Sequence, residues 1–312
     1  MIFKIDHNYA TTLQGAALSD LCCKMMEKGH FIDCDGNTLA LIKNCIQTNA
    51  STTQTECFTK YKGFSITAEL RKYLTTILVD GTHYSLEDLD RMVSKESRVL
   101  VENGPYEWDV YKKMMGVFER DRKYGNVFQL LIKARIKSYL TDLHCGGCST
   151  MVAMIKYQEQ NDYKNVFAEK SCVVFDRDSN DEISFDSPKN GLFRLLCNKD
   201  NTTVSNSDIY TLNQSHYYWH MWYKREIENY FTDDCYIKEN VDVSGFPTVS
   251  NQRDYFEIDK SSAPGYDKPL LSSVAEHMSR SDYDMIASKK FLVNGELLSE
   301  IQLFLLKLVK II

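Results

Sequence analysis

Three short apolar runs along the chain each stop at acidic residues. Arg98-Val99-Leu100-Val101 leads into Glu102-Asn103-Gly104, Val173-Val174-Phe175 into Asp176-Arg177-Asp178, and Tyr217 to Trp222 into Lys224-Arg225-Glu226-Ile227-Glu228. Apolar runs this short predict strands buried on both faces, the pattern of a parallel sheet covered by helices. Ligands of such sheets collect outside the carboxyl ends of the strands, so three acid-tipped strands predict one shared site. In extended chain, residues i and i+2 project to the same side, which predicts that Asp176 and Asp178 converge on one cation. The bland reading of each acid stands beside this one. An Asp pair after a buried strand also suits a solvated turn or a helix cap, and Glu226 and Glu228 also suit exposed pairs on a helix surface.

The remaining pattern is mostly helical. Trp108, Tyr111, Lys112 and Met115 recur at helical spacing after the Gly104 turn. Before residue 96, helical signals run from Leu18 to Met26, Leu39 to Ile46 and Ala68 to Leu78, with a Thr/Gln/Asn/Ser-rich loop from Thr48 to Thr55. Ser85 with Asp88 three residues on predicts a helix N-cap. Residues 1–95 therefore predict a mainly helical N-terminal lobe, ahead of a catalytic core over 96–235. Beyond it, a polar stretch from Asp242 to Asp259 and the turn Ser262-Ala263-Pro264-Gly265 precede Lys268-Pro269-Leu270-Leu271, which opens a helix running past Val274 and Met278. Ile301 to Ile312, interrupted by Lys307 and Lys310, predicts an amphipathic helix that docks on its own domain or on a partner. Residues 236–312 thus predict a C-terminal helical extension.

Composition narrows the functional classes. The 312 residues include 37 Lys and Arg against 43 Asp and Glu, a formal charge of −6, which does not mark a nucleic-acid binder by itself. Two basic clusters, Arg120, Arg122, Lys123 and Lys133, Arg135, Lys137, read either as phosphate contacts or as solvated helix faces. Ten cysteines with no signal-peptide pattern predict reduced thiols in a cytoplasmic protein. His144-Cys145-Gly146-Gly147-Cys148 is half of a zinc site with no second half at finger-like spacing, so structural zinc is not expected. No run reaches the length of a membrane span, and no Gly-x-x-x-x-Gly-Lys-Ser/Thr loop is present to bind nucleotide.

The order of the motifs adds a resemblance. Val101-Glu102 with its glycine, then Asp176-x-Asp178 after a buried strand, then Arg225-Glu226-Ile227-Glu228-Asn229-Tyr230, resembles the Toprim core shared by topoisomerases and primases. The form is similar to overcoming-lysogenization-defect nucleases and to Toprim effectors of bacterial anti-phage systems. His144 to Cys148 falls where this family has a Gly-Gly turn, and the resemblance spans roughly residues 96–235. Two positions depart from the pattern: Asn103 stands where a glycine is usual, and the next acid is displaced to Glu107.

The resemblance implies an α/β fold with a Rossmann-like, mostly parallel sheet flanked by helices. It implies a metal-dependent endonuclease that hydrolyses phosphodiester bonds of DNA, RNA or tRNA, the toxic effector of an antiviral defence system with a separate ATPase subunit as partner. Self-association as a homo-oligomer is compatible with it, and no membrane is involved. Glu102, Asp176 and Asp178 would hold one or two Mg²⁺ or Mn²⁺ ions, with Glu226 and Glu228 as further ligands. Lys268, in a Lys-Pro-Leu context, is the first candidate for a lysine that stabilises the charged transition state, and Lys224 the second. Two readings compete. A haloacid-dehalogenase-type phosphatase would use Asp176 as nucleophile with Asp233-Asp234 as its later acids, but Asn180 stands where such enzymes have Thr or Val and Glu102 would have no role. A non-catalytic assembly subunit would carry a degenerate Toprim core. Topoisomerase and primase activities are not expected, because the chain has no room for a DNA-gate domain and no zinc ribbon.

Overall fold

The computed structural model describes residues 1–13, 15–185, 189–214 and 216–312. Two parallel sheets, each covered by helices, organise them. The first has strands β1 (Ile2–Ile5), β2 (Phe31–Asp33) and β3 (Thr76–Val79) in the order β2-β1-β3. The second has β4 (Ser97–Val101), β5 (Leu140–His144), β6 (Ser171–Phe175) and β7 (Tyr218–Met221) in the order β5-β4-β6-β7. All neighbours in both sheets are parallel. The molecule is thus α/β with parallel sheets flanked by helices, compatible with a Rossmann-like arrangement.

The apolar runs account for the second sheet. Every residue of β6 is buried, as are Val99, Leu100 and Val101 of β4, because helices cover both faces. Phe175 and Trp219 stack at 6.0 Å between β6 and β7. The crossovers are the expected helices. Pro105–Phe118 follows β4, starting with Pro105 in its first turn, and Cys148–Gln160 follows β5. Gly104 (φ 89°) and Gly147 (φ 110°) turn the chain into these helices through left-handed backbone, which a side chain would strain.

The N-terminal lobe contains more than helices. The pattern from Ala68 to Leu78 splits into a helix Ala68–Tyr73 and strand β3, whose Thr76-Ile77-Leu78-Val79 is apolar and β-branched. Together with β1 and β2 it builds the first sheet. The Thr48–Thr55 segment is not a loop. Helix Gly36–Asn49 runs through its start, and Ser51 with Gln54 forms a capping box that starts helix Thr52–Lys60. Ser85 and Asp88 form the anticipated box at helix Leu86–Ser94.

The C-terminal part also differs from a purely helical extension. Strands β8 (Lys290–Val293) and β9 (Glu296–Ser299) form an antiparallel hairpin. Its Glu296 accepts from Tyr73 of the N-terminal lobe at 3.1 Å and from Tyr124 at 2.7 Å. The last helix, Glu300–Lys310, is not amphipathic in place. Nine of its residues are buried, Glu300 and Lys307 among them, because it is inserted between β7, helix Gly125–Ile136 and the N-terminal lobe. Lys307, fully buried, donates from Nζ to the carbonyls of Ile209 (2.5 Å) and Trp219 (2.6 Å), which satisfies an ammonium that the sequence pattern would place in solvent. No helix among the described residues is long and apolar enough to cross a membrane, and all ten cysteines are free.

Candidate functional site

The acids stand where the three strand ends predict. Val101 of β4 lies level with Val174 of β6, so Glu102 and Phe175 leave the sheet side by side and Asp176 follows one step beyond. The Asp176 amide donates to Glu102 Oε2 at 3.2 Å, joining the two motifs through the main chain. Glu102 Oε1 accepts from Cys148 Sγ (3.1 Å), at the start of the helix that follows the Gly-Gly turn. Asp176 is buried. Its Oδ1 accepts from the Ile227 amide (2.9 Å), in the third motif, and its Oδ2 from Asn103 Nδ2 (3.4 Å). Asn103 therefore contacts the Asp176 carboxylate directly.

The third motif leaves β7 and turns back over the sheet edge. Ile227–Tyr230 forms a 3-10 turn in which Glu228 is fully exposed to neither solvent nor surface, being completely buried, while Glu226 is half-buried. The reading of both as exposed helix-surface charges is set aside by this burial. Glu228 Oε1 accepts from Lys268 Nζ (2.5 Å) and Tyr266 OH (3.1 Å). Lys268 thus reaches the cluster. Lys224 does not: its Nζ pairs with Asp254 at 2.6 Å. Asp233 and Asp234 open a separate helix, Asp233–Lys238, and Asn180 pairs with Arg225.

Asp178 is where the period-two argument ends. β6 stops at Phe175, and Asp178 adopts left-handed backbone (φ 52°), a conformation Asp tolerates better than most residues. Its amide is tied to the Arg225 carbonyl (2.9 Å) and its carboxylate to Lys189 Nζ (2.7 Å). Lys189, almost wholly buried, also lies 3.7 Å from Glu102 Oε2 and 3.3 Å from Cys148 Sγ. No sequence signal marked it, since it lies just before helix Asn190–Cys197 and belongs to none of the three motifs. Glu107, the displaced acid of the first motif, joins the site as well. It sits in the first turn of helix Pro105–Phe118, where its Oε1 accepts from the Asn103 amide (3.1 Å).

The electrostatics follow from crowding. Six carboxylates, those of Glu102, Glu107, Asp176, Asp178, Glu226 and Glu228, share the site with three cationic groups, Lys189, Lys268 and Arg225. Burial, then the charge of Glu228, pushes Glu107 up to about 8 despite Lys268 nearby, and the same two causes push Glu226 up to about 7. Asp176 is raised well above the carboxylate range by burial, then by Glu107 and Glu228. Burial disfavours the charge on Lys268, but Glu228 and Asp176 outweigh it and raise that lysine. Glu102, Cys148 and Asp178 do the same for Lys189.

The chain matches no family model, no curated protein and no solved structure. The site must therefore be read from its own chemistry. Its donors are carboxylate oxygens, the ligands that hard divalent cations prefer. Glu107 Oε2 and Glu228 Oε2 are buried without a hydrogen-bond partner, so two acceptors remain unsatisfied in a region with excess negative charge. On that observation the residues fit a divalent cation. Among the described residues no three acidic, His or Cys side chains already stand as a preformed cage, and the contacts above show why: Lys189 and Lys268 occupy the carboxylates.

Proposed function

We propose that this protein is a metal-dependent nuclease of the Toprim type, the effector of an antiviral defence system acting with a separate ATPase. The observation that carries the reading is the junction of Glu102 and Asp176 at the carboxyl ends of adjacent central strands, with the Ile227 amide of the third motif on the same Asp176 carboxylate. Three separately read motifs meet within hydrogen-bond distance of one residue, Asp176. A haloacid-dehalogenase-type phosphatase gives Glu102 no role, whereas here it is bonded to the Asp176 amide.

In this reading Glu102, Asp176 and Asp178 hold Mg²⁺ or Mn²⁺, with Glu107, Glu226 and Glu228 completing the charge around it. The bound cation supplies neutralisation of the scissile phosphodiester and a water of lowered pKa. The protein's own residues do the rest. In the metal-free protein burial and Glu228 raise Glu107 to about 8, while its Oε1 accepts from the Asn103 amide and its Oε2 has no partner. Lys189 and Lys268, held cationic by the acids around them, exchange carboxylate partners for phosphate oxygens when substrate arrives. Phosphate-directed chemistry of this kind reads the backbone, so DNA, RNA and tRNA are all admissible substrates.

The test is incubation of the purified protein, alone and with its ATPase partner, with plasmid DNA, total RNA and tRNA. Cleavage is expected with Mg²⁺ or Mn²⁺ and none in EDTA. Cleavage that persists in EDTA, or a phosphoaspartate trapped at Asp176 by a phosphate mimic, overturns the proposal.

A further inference from the structure

A second charged cavity lies at the opposite edge of the sheets. It is bounded by Met1, Phe31, Ser97 and Tyr139, all at or just before the amino ends of strands, and encloses about 110 Å³. Five lysines line it: Lys28, Lys95, Lys133, Lys137 and Lys170. The fold brings them together. Helices of a parallel α/β unit run opposite to its strands, so their carboxyl ends gather at the amino edge of the sheet. Lys28 and Lys170 each end a helix, Lys133 lies in the last turn of another, and Lys95 and Lys137 follow helix ends.

Lysines at helix carboxyl ends favour the helix dipole, and that alone accounts for exposed ones such as Lys133 and Lys137. It does not account for Lys170. This residue is 2% exposed and ends a helix of only four residues, and its Nζ has no hydrogen-bond or ion-pair partner among the described residues while lining the cavity. Among the described residues none of the other four lysines forms an ion pair there either. Lys28 lies over the Tyr139 ring at 3.9 Å, and the carboxylate of Glu96, which acts on Lys170, is engaged by Arg98. The Met1 amine donates to the Ile312 main-chain oxygen. Burial, then repulsion among these groups, pulls Lys170 down to about 7 and the Met1 amine to about 4, and lowers His30. An unpaired buried lysine on the wall of a cavity lined by four more lysines marks a site with room for an anion.

We propose that this cavity binds the phosphate end of a small phosphorylated anion, with Lys170 as its buried contact and Lys133 and Lys137 at its mouth. The volume admits one or two phosphate groups, since a water takes about 30 Å³ and an enclosed drug-sized ligand needs about 300 Å³ or more. Leu74, Leu130, Ala134 and Ile312 form apolar walls that strengthen each lysine–phosphate contact by excluding water. The site lies across the sheet from the acids and needs no metal, so it does not depend on the nuclease reading.

Isothermal titration calorimetry of the full chain with sodium pyrophosphate, in EDTA, tests this. The wild type should bind, Lys170→Met should weaken binding by about tenfold or more, and Asp176→Asn should leave it unchanged. Lys133→Glu with Lys137→Glu, both at exposed positions, should weaken it as well, and this pair keeps the test decisive if the buried variant does not fold. Displacement by inorganic phosphate or by ADP then tells a free phosphate from a nucleotide, and either supports the site. No binding by the wild type, equal binding by the lysine variants, or stronger competition from an unphosphorylated oligonucleotide than from ADP overturns it.

Discussion

Asp176 is the residue on which the site converges, and the consequences of changing it are specific. Its carboxylate accepts from Ile227 and Asn103 and its amide donates to Glu102, so Asp176→Asn keeps the size of the side chain and removes one oxygen that a cation could use. Cleavage rate in Mg²⁺ should fall by roughly a hundredfold or more while the far-UV circular dichroism stays that of the wild type. Glu107 makes a different prediction. Its pKa rises on folding from an ordinary glutamate value to about 8, so between those values the folded protein binds more protons than the unfolded chain. Its contribution to stability is therefore present at low pH and lost as pH rises through about 8. Glu107→Gln should raise the melting temperature of metal-free protein at pH 8.5 and have little effect at pH 5. Added Mg²⁺ should shrink the gain at pH 8.5, because a cation removes the same repulsion. A pH-independent shift would mean that Glu107 does not carry this proton.

Among the elements, the last helix gives the sharpest test. Phe304 packs on Tyr111 (5.1 Å), Trp222 (5.0 Å) and His220 (5.4 Å), so Phe304→Ala should cost about 3–5 kcal/mol in urea unfolding. Lys307 on the same helix is pulled down to about 7 by burial, so the folded state binds fewer protons than the unfolded chain above that value. Measured against Lys307→Met, the wild type should gain stability as pH rises from 7 to 10. The elements also show what the sequence could reveal. β4, β6 and β7 were legible because burial on both faces leaves an apolar run, and the Ser85 cap because its chemistry is local. β3 was hidden behind a helix, since Ala68 to Leu78 offers helix formers first and β-branched residues only at its end. Lys307 misled in the other direction: a lysine implies a wet face, and only two carbonyls from distant segments make its burial tolerable. Lys189 was invisible for a similar reason, as its partners Glu102, Cys148 and Asp178 lie on three different strand ends.

At the scale of the whole molecule, Glu300 ties the end of the chain to the third motif. Its Oε1 accepts from the Tyr223 amide at 2.6 Å and its Oε2 from the Tyr230 hydroxyl, which in turn accepts from the Lys224 amide at 3.1 Å. Both ends of the segment that carries Glu226 and Glu228 are thus fastened to one buried carboxylate. Glu300→Ala should speed amide exchange at Tyr223 and Lys224 while leaving β4 and β6 protected, as hydrogen-exchange mass spectrometry would read. The arrangement also imposes an order in time. Tyr230 and Glu300 are 70 residues apart, and synthesis at roughly 5–20 residues per second separates them by several seconds. During that interval Glu102 and Asp176 already exist on their strands, but the segment that brings Ile227 onto Asp176 lacks its Glu300 anchor. A nascent chain emerging from the ribosome therefore carries a third motif without this fastening until residue 300 has been made and its helix has docked.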